Sequence, residues 1–202
     1  LYGVMKGDNS MQQEQGKIVT LSGISGIGKS FLKSYILSNN PNFQSLISVT
    51  TRNRRLNEIE GIDKFFYELE EFEKENYSGR LCVVNEVFGN WYAYKKSQIE
   101  LCDSGINLIT ELFYKNVYEF KAEFPNALSV YVLPNDIERT KAELRARKLE
   151  LNDLNKRLKD IDDELAFFYS NRELFDIVIT NDYTEKSCLS LQKLIKQKMR
   201  SD

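Results

Sequence analysis

The stretch GISGIGKS, residues 23–30, decides how this chain is read. It fits the spacing G-x-x-x-x-G-K-S in full. The apolar run KIVTLSG (17–23) predicts a buried strand leading into it, and SFLKSYIL (30–37) predicts a helix leading out. Three glycines in a strand-to-helix turn let backbone amides face inward around phosphate oxygens, and the helix N-terminus adds a dipole that favours an anion. The expected ATP cradle is therefore Gly23, Ile24, Ser25, Gly26, Ile27, Gly28, Lys29 and Ser30. Lys29 would span the β- and γ-phosphates, and the Ser30 hydroxyl would ligate Mg2+. A glycine turn matching by chance is the bland alternative, and the strand–loop–helix setting argues against it.

Outward from the loop, INLITEL (106–112), LSVYVL (128–133) and DIVITN (176–181) are further buried-strand candidates, each followed by a helical stretch. Such alternation predicts an α/β fold, a parallel core sheet flanked by helices. Across 151–168, Leu154, Leu158, Ile161, Leu165 and Phe168 recur at alternating spacings of four and three, one face of a helix. Residues 48–94 differ. Short aromatic pieces, DKFFYEL (63–69) and LCVVNEVFGNWYAY (81–94), bracket an acidic helix at 68–76, which predicts an inserted α+β subdomain. The expected organisation is a flexible leader over 1–16, a core of 17–47, 95–146 and 169–202, the subdomain 48–94, and a helical lid over about 147–168.

Composition excludes whole classes of chemistry. The 202 residues contain no histidine, so Ser-His-Asp and Cys-His catalysis and His-ligated zinc are ruled out. Cys82, Cys102 and Cys188 form no CxxC pair, and their usage predicts a reducing cytoplasm. A net charge of −2 provides no global field for nucleic acid, and no apolar run approaches the roughly 20 residues of a membrane helix. The expected partners are small molecules, with neither nucleic acid nor membrane. A guanine-reading N-K-x-D is also missing, which removes the switch GTPases. What remains is a kinase, and a kinase must neutralise two groups of phosphates at once, so it needs a second cationic site. SVTTRNRR (48–55) is the candidate: Arg52, Arg54 and Arg55 repel one another unless an anion lies nearby, the alternative being a solvated loop.

GISGIGKS, SVTTRNRRLNEIEGIDKFF, EEFEKENYSG, NEVFGNWY, FPNALSVYVLP and FDIVITND follow one another in the order and near the spacing of the guanylate kinase family, which the chain resembles from about residue 17 to 199. The resemblance implies a P-loop kinase fold with an inserted acceptor-binding subdomain and a lid, and ATP-dependent phosphorylation of a nucleoside monophosphate. Position by position, it implies that Arg52 and Arg55 hold the acceptor's phosphate, joined by Tyr92. It makes Arg147 and Arg157 lid arginines that close on the transferring group, and puts Asn181 near the donor's adenine. Planar guanidinium forks converging on phosphate oxygens suit that task.

The departures from the family are concentrated. Val83 stands where the family has a glutamate that reads guanine, Tyr94 where it has a serine or threonine that does the same, and Lys64 where it has a phosphate-binding tyrosine. Glu111 and Phe113 replace an acidic D-x-D pair, leaving Glu111 with Ser30 as the expected metal ligands; Ser48 alone of the base-reading set is kept. Phosphate handling is thus retained, even supplemented by Lys64 and Arg54, while an aliphatic and an aromatic side chain take the guanine positions. Three readings follow: a nucleoside monophosphate kinase, with GMP the acceptor implied by resemblance; a kinase for another phosphorylated metabolite such as a phosphosugar; or a non-catalytic binding module.

Overall fold

The computed structural model describes residues 15–146 and 150–200. Most of the expected leader and Arg147 lie outside the described residues; Gln15 and Gly16 are tied to Asp103 and to the Cys102 carbonyl.

Five strands build the core sheet in the order β2 (Phe43–Ser45), β7 (Asn107–Glu111), β1 (Ile18–Ser22), β8 (Leu128–Pro134), β9 (Ile177–Asn181), every neighbouring pair parallel. β1 is central and all five of its residues are buried, as its unbroken apolar reading requires of a strand covered on both faces. The short edge strand β2 has no sequence signature, because FQS is neither apolar nor alternating enough to stand out. Helices α1 (Lys29–Asn39) and α7 (Glu185–Met199) pack together, and Leu32, Ile36, Cys188, Leu191 and Ile195 join β1 and β8 in one core cluster.

A second sheet runs β4 (Phe65–Phe66), β3 (Ser48–Thr50), β6 (Asn90–Lys95), β5 (Leu81–Val87). β6 is antiparallel to both neighbours, so Ser48 lies opposite Tyr94 and Thr50 opposite Tyr92. The acidic helix α2 (Leu69–Tyr77) covers this sheet through Phe72, which packs with Val49, Leu81 and Ala93. The short helix α3 (Lys96–Ile99) leads back to the core, and α4 (Val117–Glu123) follows β7.

Between β8 and β9, α5 (Ile137–Ala146) and the twenty-residue α6 (Leu151–Ser170) lie over the end of the core sheet. Leu144 and Ile161 enter the same cluster as the two isoleucines of the glycine loop. The 151–168 stripe faces inward: Ile161 and Phe168 are buried, while Leu154, Leu158 and Leu165 pack at the edge.

Candidate active site

The glycine loop leaves the C-terminal end of β1, where ligands of open parallel sheets bind. Ile24 and Ile27 are fully buried and anchor the loop from below. On either side of Ile27 the backbone turns through left-handed conformations at Gly26 (φ 89°) and Gly28 (φ 87°). A Cβ on Gly28 would lie 2.6 Å from the Asn181 amide nitrogen, so side chains are excluded by space as well as by φ. The Lys29 ammonium donates to the carbonyls of Gly23 and Ile24. Parallel pairing sets Leu21 beside Glu111, and this brings Glu111 Oε1 within 2.7 Å of Ser30 Oγ, the donor. The two side chains offer hard oxygens, the donor chemistry Mg2+ takes. Among the described residues no group of three or more acidic, Cys or His side chains makes a metal cage. A cation here needs further oxygens beyond these two, from water or a phosphate ligand.

α6 meets the loop with one face. Arg157 Nη1 donates to Ser25 Oγ at 3.2 Å. Two turns further on, the buried Glu164 carboxylate faces the Gly23 backbone N–H and lies near Lys29. Burial raises this carboxyl to about 7, against the pull of Lys29. Asp160 accepts the Tyr114 hydroxyl at 3.3 Å, and burial raises it as well.

Opposite the loop stands the second sheet. Glu58 binds Arg52 Nη2 through both oxygens, at 2.7 and 2.9 Å, and accepts the Arg55 N–H at 2.8 Å. Burial works to raise the Glu58 carboxyl; the hydrogen bonds from Arg52 and Arg55 outweigh it and hold the group below the usual range. The Lys64 ammonium donates to Ser48 Oγ at 2.8 Å and sits 5.6 Å from the Tyr92 ring centre. Burial lowers Lys64 to about 8, with Glu111 opposing and Arg52 and Lys33 reinforcing.

One cleft of about 420 Å³ joins the two halves. Of the expected residues, its walls take Gly23, Ser25, Gly26, Gly28, Lys29, Ser30, Glu111 and Arg157 on one side, and Ser48, Arg52, Arg55, Lys64, Val83, Tyr92 and Tyr94 on the other. Ile24 and Ile27 contribute backbone alone, their side chains being inside the core.

Packing places two of the expected residues away from the cleft surface. Asn181 is completely buried, its amide donating to the Ile27 carbonyl at 2.6 Å and its oxygen accepting the Tyr183 N–H. It braces the loop from beneath, inside the core. Beside it, Tyr183 donates to the Gly26 carbonyl, and the Arg139 guanidinium stacks on its ring. Arg54 is exposed and outside the cleft, so it does not supplement the cationic wall. Glu58, Asn85, Asn116 and Glu164 line the cleft and were missed. The carboxylate three residues after Arg55 was the available signal for Glu58. Nothing local marks the other three, which arrive from a bulge, a loop and a helix.

A parallel sheet opening into a phosphate loop, faced across a cleft by a second sheet bearing Arg52, Arg55 and Lys64, is the plan of a P-loop kinase. The Guanylate kinase family matches residues 15–198. Curated relatives named guanylate kinase include one from Mycoplasmoides gallisepticum, 36% identical over 92% of this chain and 94% of the relative, and one from Mesomycoplasma hyopneumoniae, 32% identical over 94% and 99%. The crystal structure of guanylate kinase from Anaplasma phagocytophilum superposes with a TM-score of 0.74 at 26% identity, covering 94% of this chain and 89% of that one. The chain belongs to the guanylate kinase family.

Proposed function

We propose that the chain transfers the γ-phosphoryl group of ATP to the phosphate of a nucleoside monophosphate, GMP being the acceptor that family membership implies. The observation that carries this reading is the shared cleft: the phosphate loop and the cationic wall of Arg52, Arg55 and Lys64 face the same space. An acceptor phosphate oxygen attacks the γ-phosphorus, the bond from that phosphorus to the β–γ bridging oxygen breaks, and ADP leaves. No general base is needed, because the acceptor phosphate is already an anion.

The chain's own groups position and neutralise. Loop amides cradle the donor, and Lys29 turns from the Gly23 and Ile24 carbonyls to the β- and γ-phosphates. Arg52, Arg55, Lys64 and Tyr92 hold the acceptor phosphate, and Glu58 keeps the two arginines in a fixed fork. Arg157, and Arg147 beyond the described residues, supply lid charge. Ser30 and Glu111 would hold Mg2+, which neutralises charge on the phosphates when bound. The free, buried cysteines fit a reducing cytoplasm, where we place the chain.

A second reading, phosphorylation of another metabolite such as a phosphosugar, is favoured by one observation: Val83 and Tyr94 line the cleft at the guanine-reading positions. A non-catalytic binding module has no use for Lys29 and Ser30 together. ADP formation from Mg-ATP with GMP, dGMP, AMP, CMP, UMP, dTMP and phosphosugars tests these readings. Turnover with a nucleotide is expected. Turnover confined to phosphosugars overturns the first reading, and silence across the panel overturns both kinase readings.

A further inference from the structure

We infer that the hydrogen-bonded amide pair Asn85–Asn116 reads the base of the acceptor. This rests on the acceptor side of the cleft being a nucleotide site, as proposed above. Asn116 Nδ2 donates to Asn85 Oδ1 at 2.6 Å, and Asn85 Nδ2 donates to the Val83 carbonyl at 3.0 Å. One hydrogen on each amide nitrogen is thereby used. Each keeps a second N–H, and Asn116 keeps its carbonyl oxygen, so the fixed pair offers donors beside an acceptor. Both residues line the cleft, and Asn116 is buried.

The backbone is bent to make this pair. Regular pairing from Cys82 opposite Tyr94 would set Val84 opposite Tyr92; a bulge inserts one residue and sets Asn85 there instead. At its centre Val83 adopts φ 49°, a left-handed conformation that β-branched side chains resist. The Val83 N–H is held by Glu123 of α4 at 3.1 Å. Strain of this kind persists only where the surroundings enforce it, and it clusters at ligand sites.

Three other polar groups of the cleft are committed elsewhere. The Tyr94 hydroxyl pairs with Thr110 Oγ1, Glu111 accepts Ser30, and Glu58 holds Arg52 and Arg55. Phe88 and Phe113 meet edge to face, 5.6 Å apart, and border the same wall. Apolar ring surface beside a fixed donor–acceptor edge suits a flat heterocycle whose own edge mixes donors and acceptors. It does not suit a bare sugar, which has no planar edge to present.

The test compares binding of GMP, UMP, CMP and AMP with ribose 5-phosphate, which keeps the phosphate and sugar and lacks the base. At least one nucleotide is expected to bind about tenfold or more tightly than ribose 5-phosphate, the discrimination one good bidentate contact provides. Asn116→Ala should bring that nucleotide to the ribose 5-phosphate level and leave ribose 5-phosphate and ATP binding unchanged. Asn85→Ala should do the same and serves where the first variant does not fold. A base preference that survives both substitutions, or no nucleotide exceeding ribose 5-phosphate, overturns the inference. Amide-dependent binding without any ADP formation would sink the kinase reading and leave this one. GMP turnover with full preference in both variants would do the reverse.

Discussion

The two walls of the cleft are built by different means. Around the loop, the surface is backbone: glycines at positive φ, two isoleucines sunk in the core, and Asn181 and Tyr183 bonded to loop carbonyls. Across from it, the surface is side chains, with Arg52 and Arg55 gathered on Glu58, and Lys64 on Ser48. A backbone cradle depends on few identities and tolerates little change of shape. A side-chain wall can keep its shape while its identities vary, and the residues read as departures from the family, Lys64, Val83, Tyr94, Glu111 and Phe113, all line the cleft outside the loop.

The contrast is tested most severely at Lys29, the loop's one charged contribution. Lys29→Ala should lower ADP formation by roughly 10²–10³-fold or more, the cost of removing a preorganised donor to transition-state charge, with an unchanged melting temperature. Undiminished turnover would mean that the loop is not the catalytic half.

Next comes the brace beneath the loop. Asn181→Ala leaves the Ile27 carbonyl without its partner and should destabilise the protein by about 1–3 kcal/mol in denaturant titration. A change confined to nucleotide affinity, with stability intact, would restore Asn181 to a direct ligand role.

The third prediction concerns pH. Glu164 titrates near 7 beside Lys29 and the Gly23 N–H, with Asp160 also facing it. Its charged form opposes an incoming polyphosphate, so ATP affinity should fall as pH rises through about 7, by at most about tenfold per unit for one linked proton. Glu164→Gln should flatten that dependence. The same raised carboxyl binds its proton more tightly folded than unfolded, so its contribution to stability declines as pH rises from the ordinary carboxylate range to about 7. An unchanged ATP profile in the variant would place the titration elsewhere.

The smallest effect is expected on the side-chain wall. Tyr94→Phe removes a buried hydroxyl paired with Thr110 and should cost about 0.5–1.5 kcal/mol of stability without altering acceptor affinity. An altered affinity would show that this hydroxyl faces the ligand after all.

Legibility followed the same division. The four long core strands and α6 could be read directly, because a strand buried on both faces is an unbroken apolar run and an amphipathic helix repeats its stripe. The strand–glycine turn–helix at 17–37 was legible as structure, since its pattern is local. β2 was not, being three residues at an edge that depends on β7 for its pairing. Glu164 reads as one more acid on a charged helix until α6 is laid across Gly23. Asn85 and Asn116 are 31 residues apart and become a pair only through the bulge at Val83 and the turn before α4.

By itself, then, the sequence determined the α/β class, the phosphate loop and the family, all of which are written in short stretches whose meaning does not depend on distant partners. The tertiary structure alone decided which polar groups remain available to a ligand. Asn181 and the Tyr94 hydroxyl are buried in internal hydrogen bonds, while Asn85, Asn116 and Glu164 are delivered to the cleft. The physical reason is that a polar side chain binds whatever lies nearest in space, and nearness across tens of residues is set by packing.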